Sequence, residues 1–91
     1  MQLSKTVTIC NLKGLHARAT STFVKTAEAF QSRITLTRAD GISVSGKSIM
    51  GILMLAIPLG NQITITADGD DAESAIQALE TLILNRFGEE N

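Results

Sequence analysis

The chain has 91 residues, 44% of them hydrophobic, and this size and composition predict one globular domain over residues 1–91. A formal net charge of −1 and only 3% aromatic residues give no indication of a nucleic-acid partner. The single cysteine, Cys10, excludes an internal disulfide, and with one histidine no metal site or other cofactor is expected. We expect a cytoplasmic protein without a membrane partner. The first residues lack a signal-peptide pattern, and the longest apolar stretch, residues 49–59, is too short to span a bilayer.

The first third of the chain predicts a strand followed by a helix. Residues 6–10 alternate with period two, which places Val7 and Ile9 inward and makes Cys10 an inert strand residue. After a break at residues 11–14, apolar side chains recur at steps of three and four from residue 17 to residue 30. The members of this helical face are Thr20, Phe23, Val24, Ala27 and Phe30. His16 therefore lies at or next to the N-cap of the helix.

The middle of the chain predicts a strand pair, a short helix and a further strand. Residues 33–37 alternate, an Asp-Gly turn signal follows, and residues 42–44 form the partner strand. Ser48 is a favoured N-cap residue before a densely apolar run, so we expect a helix over about residues 49–55. Residues 62–66 alternate again and predict the fourth strand.

The last element is predicted as an amphipathic helix. Asp70 at the N-cap with Glu73 three residues on resembles a capping box, Arg86 suits the C-terminal end, and Gly88 suits a C′ stop. The apolar stripe consists of Ala72, Ala75, Ile76, Leu79, Leu82 and Ile83. The element order βαββαβα predicts an α+β fold in which helices cover one face of an antiparallel or mixed sheet. The pattern leaves the choice among split-βαβ topologies open.

His16 is the residue with the clearest chemical potential. It stands in the run Gly14-Leu15-His16-Ala17-Arg18, where the free N–H groups of a helix start can hold an anion and Arg18 offers a fork of donors to a phosphate. A neutral imidazole can attack a phosphoryl group, whereas the structural alternative is a histidine that only caps the helix. Residues 10–27 contain no Asp or Glu, and the chain has no nucleotide-binding glycine loop. These residues favour a relay protein that receives a group and passes it on over a stand-alone enzyme.

The apolar run after Ser48 predicts a docking surface. A short helix buries one face, so we expect Ile52 and Leu55 in the core, whereas Ile49, Met50 and Leu53 could lie in the core or meet partners. Ser48 itself is either a plain helix cap or a phosphorylation site that adds negative charge beside this surface. Lys47 is expected to be a solvated side chain that steers partners.

Two motifs together resemble a known family. The segment Gly14–Arg18, followed some thirty residues later by Gly46-Lys47-Ser48-Ile49-Met50-Gly51, is similar to the HPr family of phosphocarrier proteins of the bacterial phosphoenolpyruvate phosphotransferase system. The resemblance implies an open-faced β-sandwich of four antiparallel strands covered on one side by three helices. It further implies that His16 accepts a phosphoryl group on Nδ1 from phosphorylated Enzyme I and passes it to an EIIA-type protein.

The resemblance also implies roles for the neighbouring residues. Arg18 matches the arginine that steadies the phosphate, and Ser48 matches the serine that an HPr kinase/phosphorylase modifies in some bacteria. The partner-docking residues are then Thr20, Lys47, Ile49, Met50 and Leu53, on a chain expected to act as a monomer.

One departure concerns the branch of the family. Ala19 stands where the sugar-transport branch usually has proline after the arginine. Together with the Met-containing run at residues 52–55 and the ending Asn85-Arg86-Phe87, it is more similar to the nitrogen-regulatory branch, NPr. A sugar-transport HPr and a binding module controlled by Ser48 phosphorylation are the alternatives.

Overall fold

The computed structural model describes all residues, 1–91, as four strands and three helices. The strands are β1 (Gln2–Thr8), β2 (Arg33–Arg38), β3 (Ser43–Ser45) and β4 (Gln62–Asp68). The helices are α1 (Ala17–Glu28), α2 (Ile49–Leu55) and α3 (Ala72–Leu84), and a 3₁₀ turn (Arg86–Gly88) follows α3. All pairs in the sheet are antiparallel, and the strand order is β1-β4-β2-β3. The predicted α+β open-faced sandwich is therefore confirmed.

The core lies on one side of the sheet because the strands alternate between apolar and hydroxyl residues. The inward side chains are buried, and they include Val7, Ile34, Leu36, Ile63, Ile65 and Ala67. The opposite face carries serine and threonine hydroxyls that bond across strands, such as Ser4 to Thr66 at 2.9 Å and Thr37 to Ser43 at 2.7 Å. The helices add Phe23, Ile52 and Leu79 to the same core. None of the helices is long and apolar enough to cross a bilayer.

Helix α2 has the bounds that the sequence predicts, because both of its ends have specific partners. The Ser48 hydroxyl accepts a hydrogen bond from the Gly51 amide at 3.0 Å, as an N-cap residue does. At the other end Ala56 adopts a left-handed conformation with φ of +50°, and the Arg38 guanidinium donates to the Leu55 carbonyl at 2.7 Å.

The strand bounds differ from the predicted ones mainly in β1. This strand begins four residues earlier than predicted and ends before Ile9, although Val7 and Ile9 are buried as expected. The early start of β1 is not visible in the sequence because Lys5 interrupts the alternation of apolar and polar residues, on the same face of the strand as Leu3 and Val7. Lys5 forms an ion pair with Glu80 of α3 at 3.5 Å. Helix α1 ends at Glu28, two residues short of the predicted end, and β3 lies one residue further along the chain than predicted.

The predicted ends of the last helix are wrong in detail. Asp71 occupies the N-cap instead of Asp70, and no side chain caps the helix, so the expected bond from Glu73 is not formed. At the C-terminal end, Arg86 takes the left-handed conformation with φ of +55°, and Gly88 instead closes the 3₁₀ turn. The apolar stripe itself is confirmed: Ala72, Ala75, Ile76, Leu79 and Ile83 are buried, and Leu82 packs against the core.

The Asp71 carboxylate ties the start of α3 to the segment that leads into β2. It accepts hydrogen bonds from the Ser32 hydroxyl at 2.5 Å and from the backbone amides of Gln31 and Ser32 at 2.8 and 2.9 Å. Because the hydroxyl of Ser32 and the Gln31 amide bond the charged form, the pKa of Asp71 lies below its ordinary value of 3.8. We call these hydrogen bonds between Asp71 and residues 31–32 the Asp71 clasp. The clasp stabilises the fold above that pH, and this stabilisation is lost as the pH falls through the lowered pKa.

We predict that Asp71→Asn lowers the melting temperature most at neutral pH and progressively less in acid, where Asp71 of the unchanged chain is itself protonated. Thermal unfolding followed by circular dichroism between pH 7 and pH 2 measures this difference. Asp70→Asn removes a neighbouring exposed charge that has no such partners and serves as the control. Parallel pH profiles for both variants would contradict the role of the clasp.

Candidate functional site

His16 is the N-cap residue of α1, as the sequence predicts. Its backbone is extended, with φ of −74° and ψ of −179°, and its carbonyl accepts the Thr20 amide at 2.9 Å. The imidazole Nδ1 accepts a hydrogen bond from the Arg18 amide at 3.3 Å. His16 is half-buried and Arg18 is exposed, so the ring lies against the free amides of the helix start while remaining accessible.

The loop before His16 is fixed by a close backbone contact. Gly14 has φ of +64°, and a Cβ at this position would lie 2.5 Å from the Ile57 carbonyl oxygen. The same carbonyl accepts the Leu15 amide at 2.9 Å. Below the loop, the buried Thr20 hydroxyl donates to the Leu15 carbonyl at 3.0 Å. These contacts set the position of His16 relative to α1.

The carboxylate that contacts His16 is not among the residues predicted from the sequence. Glu89 Oε2 lies 2.5 Å from Nε2 of the imidazole, although the two residues are 73 positions apart. The other oxygen, Oε1, accepts a hydrogen bond from Asn11 Nδ2 at 3.0 Å. The C-terminal segment is held in place by the buried Phe87 ring and by a bond of 2.8 Å from the Leu12 amide to the Asn91 carbonyl. No local pattern could have indicated this contact.

The site combines positive and negative charge at one surface cleft. Burial raises the pKa of Glu89, but the hydrogen bonds from His16 and Asn11 and the nearby charge of Arg18 outweigh it, and the pKa lies below the ordinary value. A cleft of about 320 Å³ opens beside the pair, between Lys13 and Arg18 on one side and residues 88–91 on the other. The arrangement presents cations near an imidazole whose far nitrogen is held by a carboxylate.

The apolar residues of α2 divide between a buried face and a more exposed face, as expected for a short helix that packs on one side only. Ile52 and Leu55 are buried, which confirms their place in the core. Ile49 and Met50 are 44% and 68% exposed. Leu53 is half-buried. Met54, which sequence analysis did not single out, is exposed too. We name Ile49, Met50, Leu53 and Met54 the α2 patch.

Three other predictions need correction. Thr20 has no exposed surface, so its predicted contact with partners is wrong, and its spacing on the buried face of α1 explains why. Lys47 is not freely solvated, because its ammonium donates to the Phe30 carbonyl at 2.8 Å. Cys10 lies beyond the end of β1 rather than in a strand, with its thiol donating to the Ile83 carbonyl at 3.2 Å.

Comparisons with known proteins agree with this fold and identify a class of protein, the phosphocarriers. Residues 3–85 match the family model described as the PTS HPr component phosphorylation site. The chain is 45% identical over 87 residues to phosphocarrier protein HPr of Cupriavidus necator, covering 96% of this chain and 97% of that protein. It is 38% identical over 88 residues to phosphocarrier protein NPr of Shewanella violacea, covering 97% and 96% of the two chains.

A solved structure of HPr from Thermoanaerobacter tengcongensis superposes with a TM-score of 0.93 at 45% identity, covering 98% of this chain and 99% of that one. The chain therefore belongs to the HPr family of phosphocarrier proteins of the phosphotransferase system.

We predict that Gly14→Ala destabilises the chain by about 2 kcal/mol or more, since the new methyl group meets the Ile57 carbonyl and the left-handed backbone is strained. Gly41→Ala is the matched control, because Gly41 also has positive φ but nothing lies within 4 Å of its Cβ position. Urea unfolding monitored by circular dichroism gives both free energies of unfolding. Equal losses would show that the close contact with Ile57 contributes nothing.

Proposed function

We propose that this chain accepts a phosphoryl group on His16 Nδ1 from phosphorylated Enzyme I and passes it to an EIIA-type protein. The observation that carries the proposal is the position of His16 at the N-cap of α1, where Nδ1 faces the Arg18 amide. The description of the matched family model, a phosphorylation site of the HPr component, supports it. The chain acts as a relay in the cytoplasm, as a monomer, and depends on its partners for the remaining catalytic groups.

The chemistry suits an acceptor that must also be a good donor. A neutral imidazole offers a lone pair at Nδ1 that can attack a phosphoryl group. Backbone amides of the first helical turn can bind the transferred oxygens, and the exposed Arg18 guanidinium can bind two of them at once. Phosphoryl transfer needs mainly such positioning and charge stabilisation, so few groups suffice.

The α2 patch supplies the surface on which both partners dock. Helix α2 packs against α1, which carries His16 at its start, and the Ile57 carbonyl just after α2 accepts the Leu15 amide, so the chain that leaves α2 meets the loop of the acceptor. Flexible methionine and leucine side chains adapt to more than one apolar partner surface. Binding to Enzyme I and then to EIIA at one surface is consistent with a carrier that exchanges partners.

The finer part of the proposal concerns the EIIA-type acceptor. Ala19 in place of proline and the Met-containing run in α2 support a nitrogen-regulatory acceptor. The higher identity to the Cupriavidus HPr than to the Shewanella NPr supports the alternative, a sugar-transport acceptor. Transfer rates to the two kinds of EIIA distinguish these assignments.

We predict that the chain incorporates acid-labile phosphate when incubated with phosphoenolpyruvate and Enzyme I, and that His16→Ala abolishes the labelling. Labelled phosphoenolpyruvate with acid and base quenching measures it, and Arg18→Ala should slow the uptake. Equal labelling of the His16 variant would sink the proposal. A chase of the purified phosphoprotein onto nitrogen-type and sugar-type EIIA then identifies the branch by the faster transfer.

A second role, control of docking by modification of Ser48, is favoured by the position of this half-exposed hydroxyl beside Ile49 and Met50. A phosphate here would lie at the start of α2, where the helix tolerates negative charge, but it would place that charge next to apolar side chains that partners must cover. An HPr kinase/phosphorylase is the partner that would add and remove it.

We predict that Ser48→Asp raises the Kd for Enzyme I by about tenfold, or about 1.4 kcal/mol, because a carboxylate must be covered beside the α2 patch. Aspartate is also a good N-cap residue, so the melting temperature should change little. Ser48→Ala should do the reverse, with a loss of about 1 kcal/mol in stability and unchanged affinity. Calorimetric titration and thermal unfolding separate the two effects. Unchanged affinity in Ser48→Asp would contradict this role.

A further inference from the structure

We propose that Glu89 is a positioning residue that holds the proton of His16 on Nε2, so that Nδ1, the nitrogen that attacks the phosphoryl group, carries a lone pair instead of a hydrogen. The inference rests on the proposed function, since it assigns a role within that transfer to the C-terminal segment. It adds a partly buried chain of hydrogen bonds, Asn11 to Glu89 to His16, behind the reacting nitrogen.

The two ring nitrogens of His16 have contacts that require the same tautomer. An ionised carboxylate can only accept hydrogen bonds, so the nitrogen 2.5 Å from Glu89 Oε2, which is Nε2, must carry a hydrogen. A backbone amide can only donate, so Nδ1, which lies 3.3 Å from the Arg18 nitrogen, must present its lone pair. The tautomer fixed from both sides is the one with a nucleophilic Nδ1.

Asn11 fixes the carboxylate in turn. Its side chain is fully buried, and Nδ2 donates to the Gly14 carbonyl at 2.9 Å and to Glu89 Oε1 at 3.0 Å. Both amide hydrogens are therefore used, and a flip of the amide would break the bond to Gly14. Asn11 thus presents only a donor to residue 89, whichever side chain stands there.

Phosphoryl transfer to this tautomer requires no proton to leave the ring. The Nδ1 lone pair attacks phosphorus, a new N–P bond forms, the bond to the donor breaks, and the donor group keeps the electron pair. The hydrogen on Nε2 stays in place, so the product is a phosphorylated ring with imidazolium character. Glu89 faces the positive charge that develops and stabilises it, as the carboxylate of a serine protease triad does for its histidine. Transfer to the acceptor returns the electron pair to Nδ1.

A glutamine at position 89 tests this arrangement because Asn11 dictates its orientation. The amide oxygen of Glu89→Gln must face the Asn11 donor, which turns the amide nitrogen toward Nε2. Nε2 then faces a donor, and because its contact at 2.5 Å is shorter than the 3.3 Å contact of Nδ1 with the Arg18 amide, the hydrogen shifts to Nδ1, the bond from Arg18 is lost and the nucleophile is blocked. Glu89→Ala leaves Nε2 without a partner and gives a mixture of tautomers. A role in packing alone predicts the opposite order, since glutamine keeps the shape of glutamate and alanine does not.

The experiment measures two quantities on the full chain and its variants. Nitrogen-15 NMR of the neutral imidazole identifies which ring nitrogen is protonated, and single-turnover labelling from Enzyme I gives the rate of phosphoryl uptake. We expect Glu89→Gln to invert the tautomer and slow uptake by about 10- to 100-fold, the range seen when a metal-binding histidine loses the carboxylate that orients it. Glu89→Ala should fall between this variant and the unchanged chain. Glu73→Gln removes the same charge from an exposed residue of α3 that does not line the cleft, and this variant should match the unchanged chain in both quantities.

Each other outcome overturns the inference. It fails if Glu89→Gln keeps the tautomer of the unchanged chain, if uptake by Glu89→Gln is as fast as by Glu89→Ala, or if Glu73→Gln slows uptake as much as Glu89→Gln does. Melting temperatures show that every variant is folded. The proposed function fails separately if the unchanged chain takes up no phosphate, because the NMR comparison still reports the tautomer without any transfer.

Discussion

The approach of the Gly14 backbone to the Ile57 carbonyl is the constraint on which the site depends. It brings the chain that leaves β1 against the chain that leaves α2, at a separation that no side chain larger than hydrogen permits. The Leu15 amide donates to the same carbonyl, and the next residue, His16, is the N-cap of α1. A loop without this contact would place the imidazole by side-chain packing alone, which fixes orientation less well.

From that point the functional groups converge from three distant parts of the chain. Residues 11–18 supply the acceptor and its amides, α2 supplies the exposed apolar side chains, and residues 87–91 close over the imidazole from behind. Each part is anchored in the core by at least one buried residue, namely Leu15, Ile52 and Phe87. The reactive surface is therefore attached to the core at three points, although most of its side chains are accessible.

The features that could be predicted from the sequence depend on contacts between residues close together in the chain. The bounds of α2 follow from Ser48 at one end and the chain-breaking Pro58 region at the other, and the N-cap position of His16 follows from the change of period between β1 and α1. Thr20 shows how two signals can conflict: its spacing placed it on the buried face of α1, whereas the resemblance suggested a partner contact. The hydrophobic spacing was the better guide.

Contacts between distant residues could not be read in the same way. Asp71 lies next to Asp70, the predicted cap residue, and nothing near it in the chain shows that its carboxylate accepts hydrogen bonds from Gln31 and Ser32, about forty residues earlier. In the sequence, Glu89 looks like part of an unstructured charged end. Nothing in the spacing of the residues shows that this segment packs against the loop that carries His16. A carboxylate has the same local signature whether it points to solvent or to an imidazole, so only the tertiary structure separates the two.

The strand order also decides when the site can exist during synthesis. Because β4 pairs with both β1 and β2, only the β2–β3 pair has both of its strands available before Gln62 is added to the chain. The His16 loop is made early, yet the strand beside β1 arrives some fifty residues later, and the carboxylate behind the imidazole follows 73 positions after the histidine. A nascent chain that has not yet reached Glu89 thus carries the histidine without the carboxylate that orients it.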